Sequence, residues 1–148
     1  MRSLTNSLAP KGSKVVQDPR HLLPSQVART VVLIAEDDVM VRNMVRIALE
    51  EEGYFVLATG DGEQALTLSR EFPGIIHALL TDVKMPNLDG LELRKTILTE
   101  RPGIRVLLMS GYTERPVENI PVLLKPFVAG VLTQRMRELL APAASDPD

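Results

Sequence analysis

With 148 residues, 45% of them hydrophobic and 24% charged, the chain has the size and composition of one ordinary globular domain. It contains no cysteine, which excludes disulfides, thiol catalysis and thiolate zinc sites, and its two histidines, His21 and His77, lie too far apart to suggest a histidine-built centre. The net charge of −2 is unevenly divided: residues 1–29 hold five basic residues and one acidic, a net +4, and the remainder holds 12 basic and 18 acidic, a net −6. An acidic body offers no basic stripe for direct nucleic-acid binding. There is no apolar run near 18 residues and no N-terminal hydrophobic leader, so neither a membrane span nor secretion is expected and the reading is cytoplasmic.

Residues 1–29 carry Pro10, Gly12, Pro19 and Pro24 among polar residues without a sustained period. They read as a flexible basic extension with at most a helical turn near Gln26-Val27. The pattern changes at Val31-Val32-Leu33-Ile34-Ala35, a short β-branched run that suits a strand buried on both faces. Glu36-Asp37-Asp38 follow, and then Val41, Met44, Val45, Ala48 and Leu49 recur at helical spacing up to Gly53. Phe55-Val56-Leu57-Ala58 predicts a second strand, and Ala65, Leu66 and Leu68 a helix that ends before Pro73-Gly74.

The third predicted strand is 78–81, leading into Asp82. A helix over 88–100 carries Leu91, Leu93, Ile97 and Leu98 and is closed by Arg101-Pro102-Gly103. Val106-Leu107-Leu108-Met109 predicts a fourth strand with Ser110-Gly111 at its end, and Val122-Leu123-Leu124 a short fifth. After Lys125-Pro126-Phe127 a last helix carries Val128, Leu132, Met136, Leu139 and Leu140, and residues 141–148 form a flexible tail. Strands alternating with helices imply parallel βαβ units with helices on both faces, and five such strands predict a flavodoxin-like α/β sheet of order 2-1-3-4-5. The stretch 110–121, with Gly111, Pro116 and Pro121, leaves room for a shortened fourth crossover of one or two turns near residues 115–119.

In a parallel sheet the ends of strands one, three, four and five converge on one edge, where open α/β folds place their ligands. That gathers Glu36, Asp37 and Asp38 with Asp82, Ser110 and Lys125. Several carboxylates close together raise one another's pKa, and a hard divalent cation such as Mg²⁺ relieves the repulsion with oxygen ligands. A carboxylate nucleophile, a metal, a lysine and a hydroxyl are the parts of phosphoryl transfer. Each residue alone has a plainer use: Asp37 or Asp38 as a helix cap, Asp82 as a turn cap, Ser110 as a turn residue. The signal is that all of them fall at strand ends of one sheet.

The blocks Val32-Leu33-Ile34-Ala35-Glu36-Asp37-Asp38, Leu80-Thr81-Asp82-Val83-Lys84-Met85-Pro86-Asn87-Leu88-Asp89-Gly90, Met109-Ser110-Gly111 and Lys125-Pro126-Phe127 resemble the receiver domain of two-component response regulators. The resemblance covers residues 30–140. It implies that Asp82 accepts a phosphoryl group from a sensor histidine kinase or a histidine phosphotransfer protein. It also implies Mg²⁺ on Asp37 and Asp82, with Glu36 acting through water and the Lys84 backbone carbonyl as a further ligand. Ser110 and Lys125 would bind the phosphoryl oxygens, Lys125–Pro126 would be cis, and phosphorylation would shift a two-state equilibrium that controls binding of a downstream protein.

Two departures mark this chain. Glu36 stands where many relatives have Asp, keeping the carboxylate on a longer arm. Val122 stands three residues before the lysine, where relatives commonly have an aromatic ring that reports the switch, so the 110–121 segment with Tyr112 becomes the expected moving element. Val122 also favours the alternative of a pseudo-receiver acting as a phosphorylation-independent interaction module. A phosphatase of the aspartyl-phosphate type would need a second acid where Lys84 stands, so a signalling phosphoacceptor is expected rather than an enzyme.

Overall fold

A computed structural model describes residues 29–111 and 120–142. The described residues form five strands, β1 (Val31–Ala35), β2 (Phe55–Thr59), β3 (Ala78–Asp82), β4 (Arg105–Gly111) and β5 (Val122–Lys125). Four helices accompany them: α1 (Val39–Glu51), α2 (Gly62–Glu71), α3 (Gly90–Glu100) and α4 (Ala129–Leu140). The sheet runs β2-β1-β3-β4-β5 with every pair parallel, the expected flavodoxin-like order. The helical turns expected near Gln26-Val27 and over residues 115–119, and most of both tails, lie outside the described residues.

Alternation along each strand feeds two cores, because successive side chains point to opposite faces. Val31, Leu33 and Ala35 of β1 join Phe55, Leu57, Leu79 and Leu108 beneath Ala65 and Leu68 of α2 and Leu93 and Ile97 of α3. Val32 and Ile34 join Leu80, Leu107 and Met109 beneath Val45 and Leu49 of α1 and Leu132 and Met136 of α4. All five residues of β1 and of β3 are buried, which is why their sequences are continuously apolar up to the strand ends.

Three of the four helix starts are set by side-chain caps. Asp38 accepts from Met40 N and Val41 N, Asp61 from Gln64 N, and Asp89 from Glu92 N. The Asp89 cap moves the start of α3 from the expected Leu88 to Gly90. Leu88 is left in the preceding loop, where its backbone and Cβ press against Gly62. Likewise Val128 is the N-cap of α4 and not a member of it, without a side-chain cap bond. At the opposite edge of the sheet from the acidic residues, His77 Nδ1 accepts the Val31 N–H at 3.0 Å, a structural use that takes this histidine away from the candidate site.

Gly90 is required by close approach: a Cβ there would run into the Asp82 carbonyl oxygen and press on Val83 Cα. Its N–H donates to Val83 O at 2.8 Å, so the 83–89 loop folds back onto the end of β3. Since the obstacle is backbone and cannot rotate away, Gly90→Ala is expected to cost about 2 kcal/mol or more, at or above the middle of the range for overpacking. Urea unfolding checks this; an undiminished midpoint would show that the loop can move aside freely.

Candidate functional site

The acidic edge is assembled by strand ends and a helix cap. Glu36 continues β1 by one residue, its N–H donating to Thr59 O at 3.1 Å, and it is completely buried. Its Oε2 accepts the Asp38 N–H at 3.0 Å. Asp38 turns its own Oδ1 back to cap α1. The capping role that the sequence left open between Asp37 and Asp38 thus falls to Asp38, and Asp37 is exposed at the rim. Asp82 ends β3 and is only 5% exposed.

Lys125 is delivered from across the sheet. Pairing of Gly111 with Lys125 puts the lysine at the C-terminal edge of β5, and the Lys125–Pro126 peptide that follows is cis. Its ammonium lies 2.6 Å from Asp82 Oδ1 and 3.0 Å from Glu36 Oε1. Glu36 Oε1 is sealed from solvent and accepts no well-directed hydrogen bond, the ammonium being its one close neighbour of opposite charge among the described residues. Carboxylate oxygens of Glu36, Asp37 and Asp82 all lie within 4.8 Å of one another.

The electrostatics follow from this crowding. Burial first, and then sharing with Glu36, push the Asp82 carboxyl up to about 8 against the opposing pull of Lys125. Burial works against the charge on Lys125, yet Asp82 and Glu36 hold its pKa above the ordinary lysine value. One ammonium between two buried carboxylates, with a third at the rim, leaves an excess of negative charge. All the donors are oxygens, and one of them is buried without a directed partner. That set fits a hard divalent cation such as Mg²⁺, and it offers no nitrogen or sulfur for a softer one.

The residues expected from sequence separate into two groups. Glu36, Asp37, Asp82 and Lys125 are brought together. Ser110, 5% exposed near the end of β4, lies on the neighbouring strand and its Oγ donates to Gly111 O at 3.2 Å. Lys84 is exposed in the loop after Asp82. Val122 is half buried and packs against the β1–α2–α3 side of the core. Sequence reasoning missed Arg42, whose NH1 donates to Glu36 O at 2.8 Å, and Thr59, whose Oγ1 donates to Ile34 O at 2.7 Å and whose carbonyl holds Glu36. An arginine on the second turn of a helix gives no sequence signal of such a contact.

A five-stranded parallel sheet of this order, with acidic residues and a lysine converging on its C-terminal edge, defines a receiver-type α/β domain. Residues 32–137 match the response regulator receiver domain, and the chain belongs to that family. It is 32% identical to the response regulator receiver protein CpdR of Brucella abortus over 76% of this chain and 98% of that protein. Identity is also 32% to the sensor kinase CckA of the same organism, over 75% of this chain but only 12% of that much longer protein. Among solved structures, the chemotaxis protein CheY4 of Vibrio cholerae aligns with a TM-score of 0.68 at 25% identity, over 76% of this chain and all (100%) of that one. The receiver domain of the hybrid histidine kinase CckA aligns with a TM-score of 0.61 at 32% identity, over 74% and 98%.

An acid whose folded pKa exceeds its unfolded value holds its proton more tightly in the folded chain. Its contribution to stability is complete in acid and is lost as pH rises through about 8. Asp82→Asn removes that loss. In chelator at pH 8.5 it is expected to gain about 1 kcal/mol or more over the parent, a rise in melting midpoint of roughly 4 °C for each kcal/mol in a domain of this size. Below pH 4 the gain is expected to vanish. Equal midpoints at pH 8.5 would mean that the Asp82 charge is not confined as described.

Proposed function

We propose that the protein is the phosphoacceptor of a two-component phosphorelay, taking a phosphoryl group on Asp82 from the phosphohistidine of a sensor histidine kinase or histidine phosphotransfer protein. The observation that carries this reading is the Lys125 ammonium, 2.6 Å from Asp82 and 3.0 Å from Glu36 at the C-terminal edge of the sheet. Asp37 and Asp82 would hold Mg²⁺, with Glu36 reaching it through water and the Lys84 backbone carbonyl as a further ligand. Such an ion would supply neutralisation of charge on the transferring phosphoryl oxygens.

The chain's own residues do the rest. Once Asp82 has given up its proton to solvent, its carboxylate Oδ attacks phosphorus, the P–N bond to the donor imidazole breaks, and the electron pair leaves with the ring nitrogen, so an acyl phosphate forms on Asp82 while the donor histidine becomes neutral. Lys125, already in contact with the attacking carboxylate, supplies a compact positive charge to the phosphoryl oxygens, and the Ser110 hydroxyl donates to another. Burial of Asp82 and Glu36 keeps bulk water from the acyl phosphate. The phosphorylated form would differ from the free one in affinity for a downstream protein, the usual logic of a population shift. The setting is the cytoplasm, where ATP charges such kinases, and among the described residues no helix is long and apolar enough to cross a membrane.

One observation favours a second reading. The half-buried Val122 has no ring to change rotamer, which suits a module that binds its partner without phosphorylation. One experiment separates the two. Incubated with acetyl phosphate and Mg²⁺, the parent is expected to gain one phosphoryl mass by intact mass spectrometry, and Asp82→Asn none. Failure of the parent with two phosphodonors, while it still binds Mg²⁺, would select the phosphorylation-independent module.

A further inference from the structure

Three consecutive acidic residues precede α1, and something must decide which way each of them points. Glu36 is fixed by its own contacts and Asp38 by capping the helix, but the Asp37 carboxylate has no hydrogen bond or ion pair among the described residues. Its direction therefore depends on the backbone. The peptide unit joining Glu36 to Asp37 is planar, so whatever holds the Glu36 carbonyl also sets where the Asp37 N–Cα bond points. That carbonyl accepts from Arg42 NH1 at 2.8 Å.

Arg42 is itself seated from two sides. Its backbone N–H donates to Asp38 O at 2.8 Å, within the turn that Asp38 caps. Its guanidinium lies over Gly60, at the end of β2, so closely that a Cβ on Gly60 would stand 2.9 Å from NH1 and 3.8 Å from Cζ. Gly60 is not in the left-handed region, so what the missing side chain leaves open is the seat of the arginine. We infer that Arg42 is a positioning residue for the divalent cation: by holding the Glu36 carbonyl against the Gly60 seat, it aims Asp37 at Asp82. This inference rests on the metal site proposed above.

Charge alone predicts the opposite sign. A guanidinium beside three carboxylates repels a cation, so removing it should tighten Mg²⁺ binding, whereas loss of positioning should weaken it. Gly60→Ala separates the two effects, since it keeps the charge of Arg42 and displaces only the end of a flexible side chain. Mg²⁺ affinity is read from amide resonances of the parent, Gly60→Ala, Arg42→Met and the double variant, with melting midpoints in chelator recorded alongside.

The expected result is Mg²⁺ binding about tenfold weaker in Gly60→Ala, the low end for loss of a group that orients a metal ligand. Its melting midpoint in chelator should not fall. Arg42→Met should also bind more weakly, and adding Gly60→Ala to it should change nothing further. Parent-like affinity in Gly60→Ala, or tighter binding in Arg42→Met, overturns the inference. So does a fall in both melting midpoints with unchanged affinity, which would mark Arg42 as a structural clamp only. A parent that takes up no Mg²⁺ overturns the metal site, and this inference with it.

Discussion

The placement of one ammonium between two buried carboxylates is the constraint around which this structure is built. Glu36 and Asp82 sit at the ends of adjacent strands with almost no access to water, and Lys125 is the positive charge they share. Burying ionised groups is unfavourable unless they are paired and hydrogen-bonded. Here the compensation is incomplete: one ammonium serves two buried carboxyl groups, Asp82 is pushed up to about 8 as a result, and Glu36 Oε1 lacks a directed donor. The aliphatic layers on both faces of the sheet supply the stability that lets the edge remain in this state. The proposed cation and phosphoryl chemistry rest on this imbalance at the edge.

Adjacent acidic residues can serve unrelated ends when backbone direction changes between them. Glu36 still follows the strand and points inward, Asp38 turns to cap α1, and Asp37 between them stays at the rim. A strand running directly into a helix makes this division possible: the first residue inherits the period of the sheet and the third belongs to the helix cap. The middle residue has neither constraint, which is why the contact between Arg42 and the Glu36 carbonyl carries weight beyond its single hydrogen bond.

The strands were legible because a strand buried on both faces must be apolar throughout, and β1, β3 and most of β4 read that way in sequence. Glu36, Asp37, Asp82 and Lys125 were legible for the complementary reason: each is a charge that interrupts or ends such a run. Helix starts were less so. Leu88 continues the apolar pattern of α3 but lies before the Asp89 cap, and Val128 does the same for α4, because periodicity registers burial and not the hydrogen bond that begins a helix. Least visible were Arg42, Thr59 and the tight fit of Gly90. Their roles depend on distances between segments far apart in sequence, and neither composition nor spacing encodes those.

Lys125 also ties the charge of the site to the placement of the edge strand. Its ammonium is held by Asp82 and Glu36, while its backbone is the last residue of β5, a four-residue strand paired on one side only, with β4. The start of the same strand is held from outside by Arg135, whose NH2 donates to Val122 O at 3.1 Å. The lysine's flexible four-carbon stem spans from that backbone to an ammonium 2.6 Å from Asp82 Oδ1. One residue thus reaches the buried carboxylates with its side chain and closes the edge strand with its backbone.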